Sequence, residues 1–172
     1  SIDSMVANYT ALKKPRRTDD YTPGGENTRR PDRAVIVYTN LIKRFFKDTV
    51  PIVLGGVEAS LRRVAHYDYW DDRIRRSALF DAKADYLLYG MAESAVKAFA
   101  DALRFRGDAR HVRGVCYIAS EPRPGYVELP SYEDVVADKR AFIEMFHTFY
   151  RNNDPRSADG LVQRHGNRYL VH

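Results

Sequence analysis

Short hydrophobic runs alternate along the chain with stretches of amphipathic character. The runs at residues 50–54 and 84–89 are rich in valine, leucine and tyrosine, as in strands that are buried on both faces. Each run is followed by glycine and then by a segment of helical composition with Glu58 or Glu93 in its first turn. With a third strand at 114–118, this order predicts a Rossmann-like α/β fold in which a partial parallel sheet is flanked by helices.

The first part of the chain has a different pattern. Residues 1–33 lack periodic apolar positions and carry basic residues interleaved with acids around the Gly24-Gly25 turn, which predicts an exposed basic connection. Apolar positions at helical spacing then predict a helix over 31–47, and a second short helix is predicted over 73–81. The run at 34–38 could by itself form a strand, but the longer apolar face favours the helix.

The pattern changes again after residue 120. Ser131 followed by Asp134 is typical of a helix cap, and it begins a long amphipathic face that Pro155 ends. A shorter helix to about residue 165 and a terminal strand over 168–171 are predicted to follow. The chain is therefore divided into an exposed basic connection (1–33), a Rossmann-like α/β core (34–120) and a C-terminal helical extension (121–172).

Composition narrows the classes of protein that fit. With 172 residues, 44% hydrophobic and 30% charged, the chain can bury a core, and this excludes wholesale disorder. The net charge of +5 keeps anions as candidate partners but is far below that of a dedicated nucleic-acid binder. The single cysteine, Cys116, excludes an internal disulfide and any cysteine-based metal site made by this chain alone. Without an apolar run of membrane length or a signal-peptide pattern, we expect a cytoplasmic protein outside the membrane.

The glycines that follow the first two predicted strands mark a candidate ligand site. Ligands of open parallel sheets bind beyond the carboxyl ends of the strands, where glycine lets them approach the backbone. The same glycines could instead only permit tight turns, and neither turn has the glycine pattern of a dinucleotide or ATP phosphate loop. The candidate ligand edge consists of Gly55, Gly56, Glu58, Ser60, Gly90 and Glu93.

An unusually aromatic segment forms a second candidate. His66, Tyr67, Asp68 and Trp70 bring imidazole, carboxylate and large rings together, which could serve acid–base chemistry or hold a metal. Between residues 58 and 81, however, five arginines accompany five acids, so structural ion pairing is the favoured interpretation. No catalytic residue and no set of metal ligands emerges from the residues, and Cys116 is predicted to be inert packing within a strand.

Several of these segments resemble a known family. Residues 53–60 and 85–93 are similar to the last two strand–loop–helix units of the cobalamin-binding-like domain that precedes many radical SAM catalytic domains. More specifically, the chain resembles the YgiQ family of radical SAM proteins over nearly its whole length, with the weakest similarity at about 105–130. The segments that carry the resemblance are Asp3–Met5, Asn8–Thr10, Asp20–Gly25, Arg30–Ala34, Gly55–Arg63, Ala65–Trp70 and Gln163–Tyr169.

The resemblance implies that much of the protein lies outside this chain. Family members have further strand–helix units before Asp3 and a catalytic domain after Gly166, and that domain holds a [4Fe–4S] cluster and S-adenosylmethionine through a C-x-x-x-C-x-x-C motif. None of that motif is present here. The cobalt-binding D-x-H-x-x-G motif of other cobalamin domains is also absent, because Asp108 lies one residue too far upstream of His111, so cobalamin binding is not predicted.

The expectation that follows is an accessory role. The segment would be catalytically silent alone and would cover the active site of its own downstream radical SAM domain, with the ligand edge and residues 66–70 facing it and contributing to substrate or cofactor binding. One alternative is a stand-alone α/β module that binds RNA or another polyanion through the basic first third. Another is a small hydrolase built around His66 and Asp68.

Overall fold

The computed structural model describes residues 2–154 and 157–172, which form an α/β fold. The strands are β1 (Val53–Leu54), β2 (His66–Asp68), β3 (Arg73–Arg75), β4 (Tyr86–Leu88), β5 (Val115–Ala119), β6 (Val127–Leu129), β7 (Leu161–His165) and β8 (Arg168–Val171). The helices are α1 (Ser4–Asn8), α2 (Ala34–Phe45), α3 (Gly56–Leu61), α4 (Ala78–Ala82), α5 (Glu93–Arg104), α6 (Tyr132–Ala137) and α7 (Lys139–Arg151), with a 3₁₀ helix at Ala109–His111.

Six of the strands form one mixed sheet in the order β1-β4-β5-β8-β7-β6, and β2 and β3 form a separate hairpin. The pairs β1–β4 and β6–β7 are parallel and the three central pairs are antiparallel. The predicted α/β class, with a sheet flanked by helices, is confirmed, and the sheet contains parallel pairs. The prediction that the third strand is also parallel is wrong, because β5 pairs with β4 in the antiparallel direction. Residues 105–114 carry the chain back to the carboxyl end of β4, where the Tyr89 amide donates to the Gly114 carbonyl at 3.2 Å.

Two predicted helices are partly or wholly strands. Residues 73–81 begin as β3, which pairs with β2, and only then turn into α4, whose N-cap Ser77 accepts a hydrogen bond from the Leu79 amide. The predicted helix to about residue 165 is β7, in which the polar side chains of Gln163 and His165 are buried. Buried polar residues conceal the strand pattern because they read as exposed positions in the sequence.

The helices α2 and α5 lie where the apolar periodicity predicts them. The predicted helix cap at Ser131 is confirmed. The long amphipathic helix predicted after it consists of two helices, α6 and α7, which are separated at Asp138. Asp138 is extended and its carboxylate accepts from the Arg140 amide, so it ends one helix and caps the next. The predicted stop at Pro155 lies outside the described residues.

The main core lies on one face of the sheet. Buried leucines of the sheet, including Leu87 and Leu170, pack there against residues of α2, α3, α4, α6 and α7, while α5 covers part of the other face. Strands β6, β7 and β8 join the sheet from the stretch 121–172, so that stretch supplies half of the strands as well as α6 and α7. The first 33 residues are mainly exposed, but they begin with the buried helix α1. The three-part division of the chain remains a prediction.

Candidate functional site

The ends of several strands converge at the predicted ligand edge. The pairing directions place the last residues of β1, β4 and β8 beside the first residues of β5 and β7. Helix α3, which follows β1, is joined here to the turn after β4, because the Gly90 amide donates to Ser60 Oγ at 3.1 Å. A cavity of about 410 Å³ opens at this point, and its lining includes Ser60, Gly90 and Met91. The structure therefore brings together parts of the candidate edge that are 30 residues apart in sequence.

The glycines of this edge differ in what they require. Gly56 and Gly90 have φ of +84° and +68°, in the left-handed region that favours glycine. Gly55 is extended, with φ of −161°, and a Cβ there would make an ordinary contact of 3.8 Å with the Leu88 carbonyl oxygen. Gly56 and Gly90 thus hold the turns, whereas the backbone of Gly55 could accept another residue.

Glu58 is directed into the protein, where it joins three helices. Its Oε2 accepts from the Ser4 amide at 2.9 Å and its Oε1 from the Val35 amide at 3.3 Å. The Ser4 hydroxyl in turn accepts from the Ala34 amide at 3.0 Å, so the first turns of α1 and α2 are fastened to α3. The side chain is 3% exposed and both its oxygens have partners, so Glu58 stabilises the edge from inside the protein. Glu93, by contrast, is exposed in the first turn of α5.

Arg63 lies at the same edge, and sequence reasoning did not single it out. Its guanidinium carbon is 4.6 Å from the ring centre of Tyr89 and 4.4 Å from that of Phe149. Its Nε donates to His172 Nε2 at 2.8 Å, and Nη2 donates to Asn153 Oδ1 at 2.9 Å. The remaining terminal nitrogen, Nη1, donates to a main-chain carbonyl of α3 at 2.6 Å.

The groups around Arg63 are electrically neutral. Burial lowers the pKa of His172 to about 3 and raises that of Tyr89 to about 12, so near neutral pH the imidazole is unprotonated and the phenol keeps its proton. The His172 and Tyr89 rings stack at 4.4 Å with an interplanar angle of 13°. Burial also lowers the pKa of Arg63 itself. A charged guanidinium is therefore fixed among aromatic rings and neutral acceptors.

The second candidate, residues 66–70, lies on the β2–β3 hairpin. Asp68 Oδ2 accepts from Arg33 at 2.7 and 3.0 Å, and its Oδ1 accepts from the amides of Trp70 and Asp71. Burial alone would raise the pKa of Asp68, but the hydrogen bonds and charge of Arg33 hold it below its ordinary value. Arg75 of the same hairpin contacts Asp71 in the hairpin turn and Asp81 in α4, at 3.1 and 3.0 Å, so the ion-pairing interpretation is confirmed.

His66 is packed inside the fold near another histidine that sequence reasoning missed. Its Nδ1 lies 3.1 Å from the Val64 carbonyl oxygen, and burial lowers its pKa to about 4. His165 stacks between Phe80 and Tyr132 at 4.5 and 5.5 Å, and burial lowers its pKa to about 4 as well. One ring nitrogen of each, Nε2 of His66 and Nδ1 of His165, is buried without a hydrogen-bond partner among the described residues.

The other aromatic residues of the hairpin lie toward the surface. Tyr67 is 47% exposed and donates to Asp72 at 2.5 Å, and Trp70 packs against Tyr9 at 5.1 Å. Tyr67 lines a cavity of about 790 Å³ that differs from the one at the glycine edge and lies between the hairpin and α6. The two candidate sites therefore open onto different surfaces, and the orientation of either toward a catalytic domain remains a prediction.

The residues present do not fit a metal cluster. Cys116 is fully buried, and burial raises the pKa of its thiol to about 12. Within residues 2–154 and 157–172, no three His, Cys, Asp or Glu side chains come together in a way that could hold a metal ion. His111 is exposed and its ring lies 2.8 Å from Arg123 and 3.5 Å from Asp108, outside any cobalamin motif.

No helix in the part of the chain that the structure describes is both long and apolar enough to span a bilayer.

Comparison with known proteins identifies the family. The family model described as Radical SAM N-terminal matches residues 1–172. UPF0313 proteins of Fusobacterium nucleatum and Thermotoga maritima are 54% and 52% identical to the chain, and each aligns with 99% of it. A UPF0313 protein of Clostridium botulinum is 48% identical over 99% of the chain.

The chain is only a part of the length of these relatives. It spans 30% of the proteins from Fusobacterium and Thermotoga and 27% of the one from Clostridium. No solved structure matches the chain. The resemblance carried by its glycine turns and its aromatic hairpin is thereby confirmed over the full length, and the chain belongs to the Radical SAM N-terminal family.

Proposed function

We propose that this segment is an accessory region that covers the active site of a downstream radical SAM domain and contributes to the binding of substrate or cofactor. The catalytic chemistry would come from a [4Fe–4S] cluster and S-adenosylmethionine held by that domain, in the cytoplasm. The residues of this chain would supply a surface and a cavity, and no reaction step is assigned to them.

The apolar surface at the glycine edge is the observation that carries this proposal. Met91, directly after Gly90, is 91% exposed, and Val57 and Leu61 on one face of α3 are 50% and 64% exposed. Of these residues Met91 lines the cavity, and large exposed apolar side chains at such an edge are typical of a surface that another part of the protein covers. The relatives are more than three times as long as the chain, so they contain enough further residues to do so.

Helix α7 offers a second surface for the same partner. Ile143, Phe146 and Tyr150 recur at helical spacing along its outer side and are 54%, 50% and 68% exposed. The last turn of α7 leads to Asn153, which contacts Arg63 at the glycine edge. One domain could therefore contact both surfaces.

Site-specific photo-crosslinking in the intact protein tests the proposal. A photoreactive amino acid in place of Met91 should crosslink to peptides that follow His172. The matched control replaces Phe105, which is 74% exposed at the end of α5, and should give no such crosslinks. If position 91 gives no crosslink to the downstream domain, or no more than position 105, the covering role is wrong.

The two alternatives gain no specific support. Arg30 and Arg33 of the basic first third are paired with Asp19 and Asp68, which reduces the charge available to a polyanion. Such binding would still be detected as an affinity for RNA that falls steeply with added salt. A hydrolase at residues 66–68 would need a free carboxylate, whereas both oxygens of Asp68 are engaged.

A further inference from the structure

The charge of Arg63 is not balanced by a carboxylate among the described residues. Three other partly buried arginines each contact at least one carboxylate: Arg33 contacts Asp68, Arg62 contacts Asp3, and Arg75 contacts Asp71 and Asp81. The partners of Arg63 are instead an imidazole, a side-chain amide and a main-chain carbonyl. Because a partly desolvated cation is costly without a counter-charge, Arg63 differs from these three paired arginines.

The geometry leaves Arg63 able to bind an anion. A guanidinium has five N–H donors, and the three hydrogen bonds it makes here leave two of them free. The Tyr89 and Phe149 rings fix the plane of the group, so an incoming anion would meet a donor that is already ordered. Planar, fixed guanidinium groups are the usual protein ligands of carboxylate and phosphate.

The adjoining cavity supplies space for the rest of a small molecule. Its volume of about 410 Å³ is in the range of small-ligand pockets, and Tyr89, Met91 and Ala95 give it apolar walls. Arg113 adds a second positive charge to the lining and Asp154 adds one negative charge, and the Arg113 guanidinium donates to the Ala158 carbonyl oxygen at 2.9 Å. The cavity thus combines two cationic side chains and one carboxylate with an apolar wall, and cationic groups are in excess.

We propose that the cavity around Arg63 binds the carboxylate or phosphate of a small organic molecule, whose apolar body lies against Tyr89 and Met91. The site goes beyond the covering role proposed above and does not require it, because all of its contacts are made within this chain. A failed crosslink from position 91 would leave it intact, and failure of anion binding would leave the covering role intact.

Binding of three matched aromatic probes to the intact protein tests the site. Benzoate and phenyl phosphate present the two anionic groups on the same ring, and benzamide is the neutral control of the same shape. We expect a dissociation constant of order 1 mM for the preferred anion, measured by calorimetry, and binding at least 10-fold weaker for benzamide. A preference between the two anions identifies the class of ligand, and equal binding of benzamide overturns the proposal.

Variants assign the binding to Arg63. Arg63→Met should weaken binding of the preferred anion at least 10-fold, and Arg63→Lys, which keeps the charge without the planar fork, should weaken it less. Arg76→Met is the matched control, because Arg76 is paired with Asp81 and lines the other cavity. Full affinity in Arg63→Met would overturn the proposal.

A measurement on the wild-type protein tests the site even if the Arg63 variants do not fold. Hydrogen exchange with and without the preferred anion should slow in peptides covering residues 60–63 and 89–95. Exchange in the hairpin, residues 66–75, should not change. Protection that appears only outside these two peptides would place the anion elsewhere and contradict the proposal.

Discussion

Replacing Glu58 by glutamine should loosen the attachment of the first two helices to α3. The buried carboxylate accepts from the amides of Ser4 and Val35 through different oxygens. Glutamine has the same size but only one acceptor oxygen, so its amide nitrogen faces one of these two N–H groups. That backbone N–H is then buried without an acceptor, and it faces the glutamine amide group, which is itself a donor.

The expected cost can be worked out from these contacts. An unsatisfied buried donor costs about 1–3 kcal/mol. Loss of the negative charge at the start of α2 adds about 0.3–1 kcal/mol, because the carboxylate interacts favourably with the helix dipole. The sum, about 1.3–4 kcal/mol, corresponds to roughly a 10- to 700-fold increase in the population of the locally opened state, since about 1.4 kcal/mol is a factor of 10.

Hydrogen exchange of the intact protein, followed by mass spectrometry, measures this opening directly. In Glu58→Gln, peptides covering α1 and the start of α2 should exchange faster by the stated factor, whereas a peptide covering β5 should not. Glu93→Gln is the matched control, because Glu93 is also a first-turn glutamate but is exposed. If the two variants exchange alike at α1 and α2, the anchoring role of Glu58 is wrong.

Three further changes test other parts of the structure. Asp68→Asn should lower stability by about 1–3 kcal/mol, because Arg33 loses one of its two carboxylate partners and keeps Asp71; a thermal midpoint equal to that of the wild type would contradict this. His66 and His165 are neutral in the folded state with pKa values of about 4, below the ordinary 6.5, so their contribution to stability is complete above pH 6.5 and is lost as the pH falls toward 4. At pH 5 each histidine should lower the free energy of unfolding by about 2 kcal/mol. His165→Gln should therefore flatten the acid limb of a stability–pH profile, and an unchanged limb would contradict the lowered pKa of His165. Gly160→Ala should cost about 1–3 kcal/mol by overpacking, because the new Cβ would lie 2.3 Å from a tyrosine ring, whereas Gly55→Ala should change the urea midpoint little; equal effects would contradict the geometry.

The sequence allowed β1 and β4 to be predicted because both lie in short, mainly apolar runs, although Val53 of the edge strand β1 is 37% exposed. The turns at Gly56 and Gly90 were predicted because their positive φ is a conformation that glycine adopts readily. Strand β7 was mistaken for a helix because the polar residue Gln163 reads as an exposed position in the sequence. In the structure it is buried, and its side chain accepts a hydrogen bond from the Ala65 amide, 98 residues away. A partner so distant leaves no local trace in the sequence.

The candidate site was predicted in part for the same physical reason. Glycine turns are local signals, so the sequence indicated the turn at Gly90, which the structure joins to Ser60, while a ligand at this edge remains a prediction. The anchoring role of Glu58 depends on Ser4, 54 residues earlier, and no periodicity connects them. Arg63 is one of several arginines in its region, and only the folded chain reveals that its neighbours have carboxylate partners and it does not.

The fastening of the amino-terminal segment by later residues has a consequence during synthesis. The contacts that hold it join Asp3 to Arg62, Ser4 to Glu58 and the Ala11 carbonyl to the Tyr69 hydroxyl. At translation rates of about 5–20 residues per second, those partners appear about 3–12 s after the segment itself. Throughout that interval the arginine- and lysine-rich segment is open to trypsin-like proteases, so prompt emergence of residues 58–69 from the ribosome protects it.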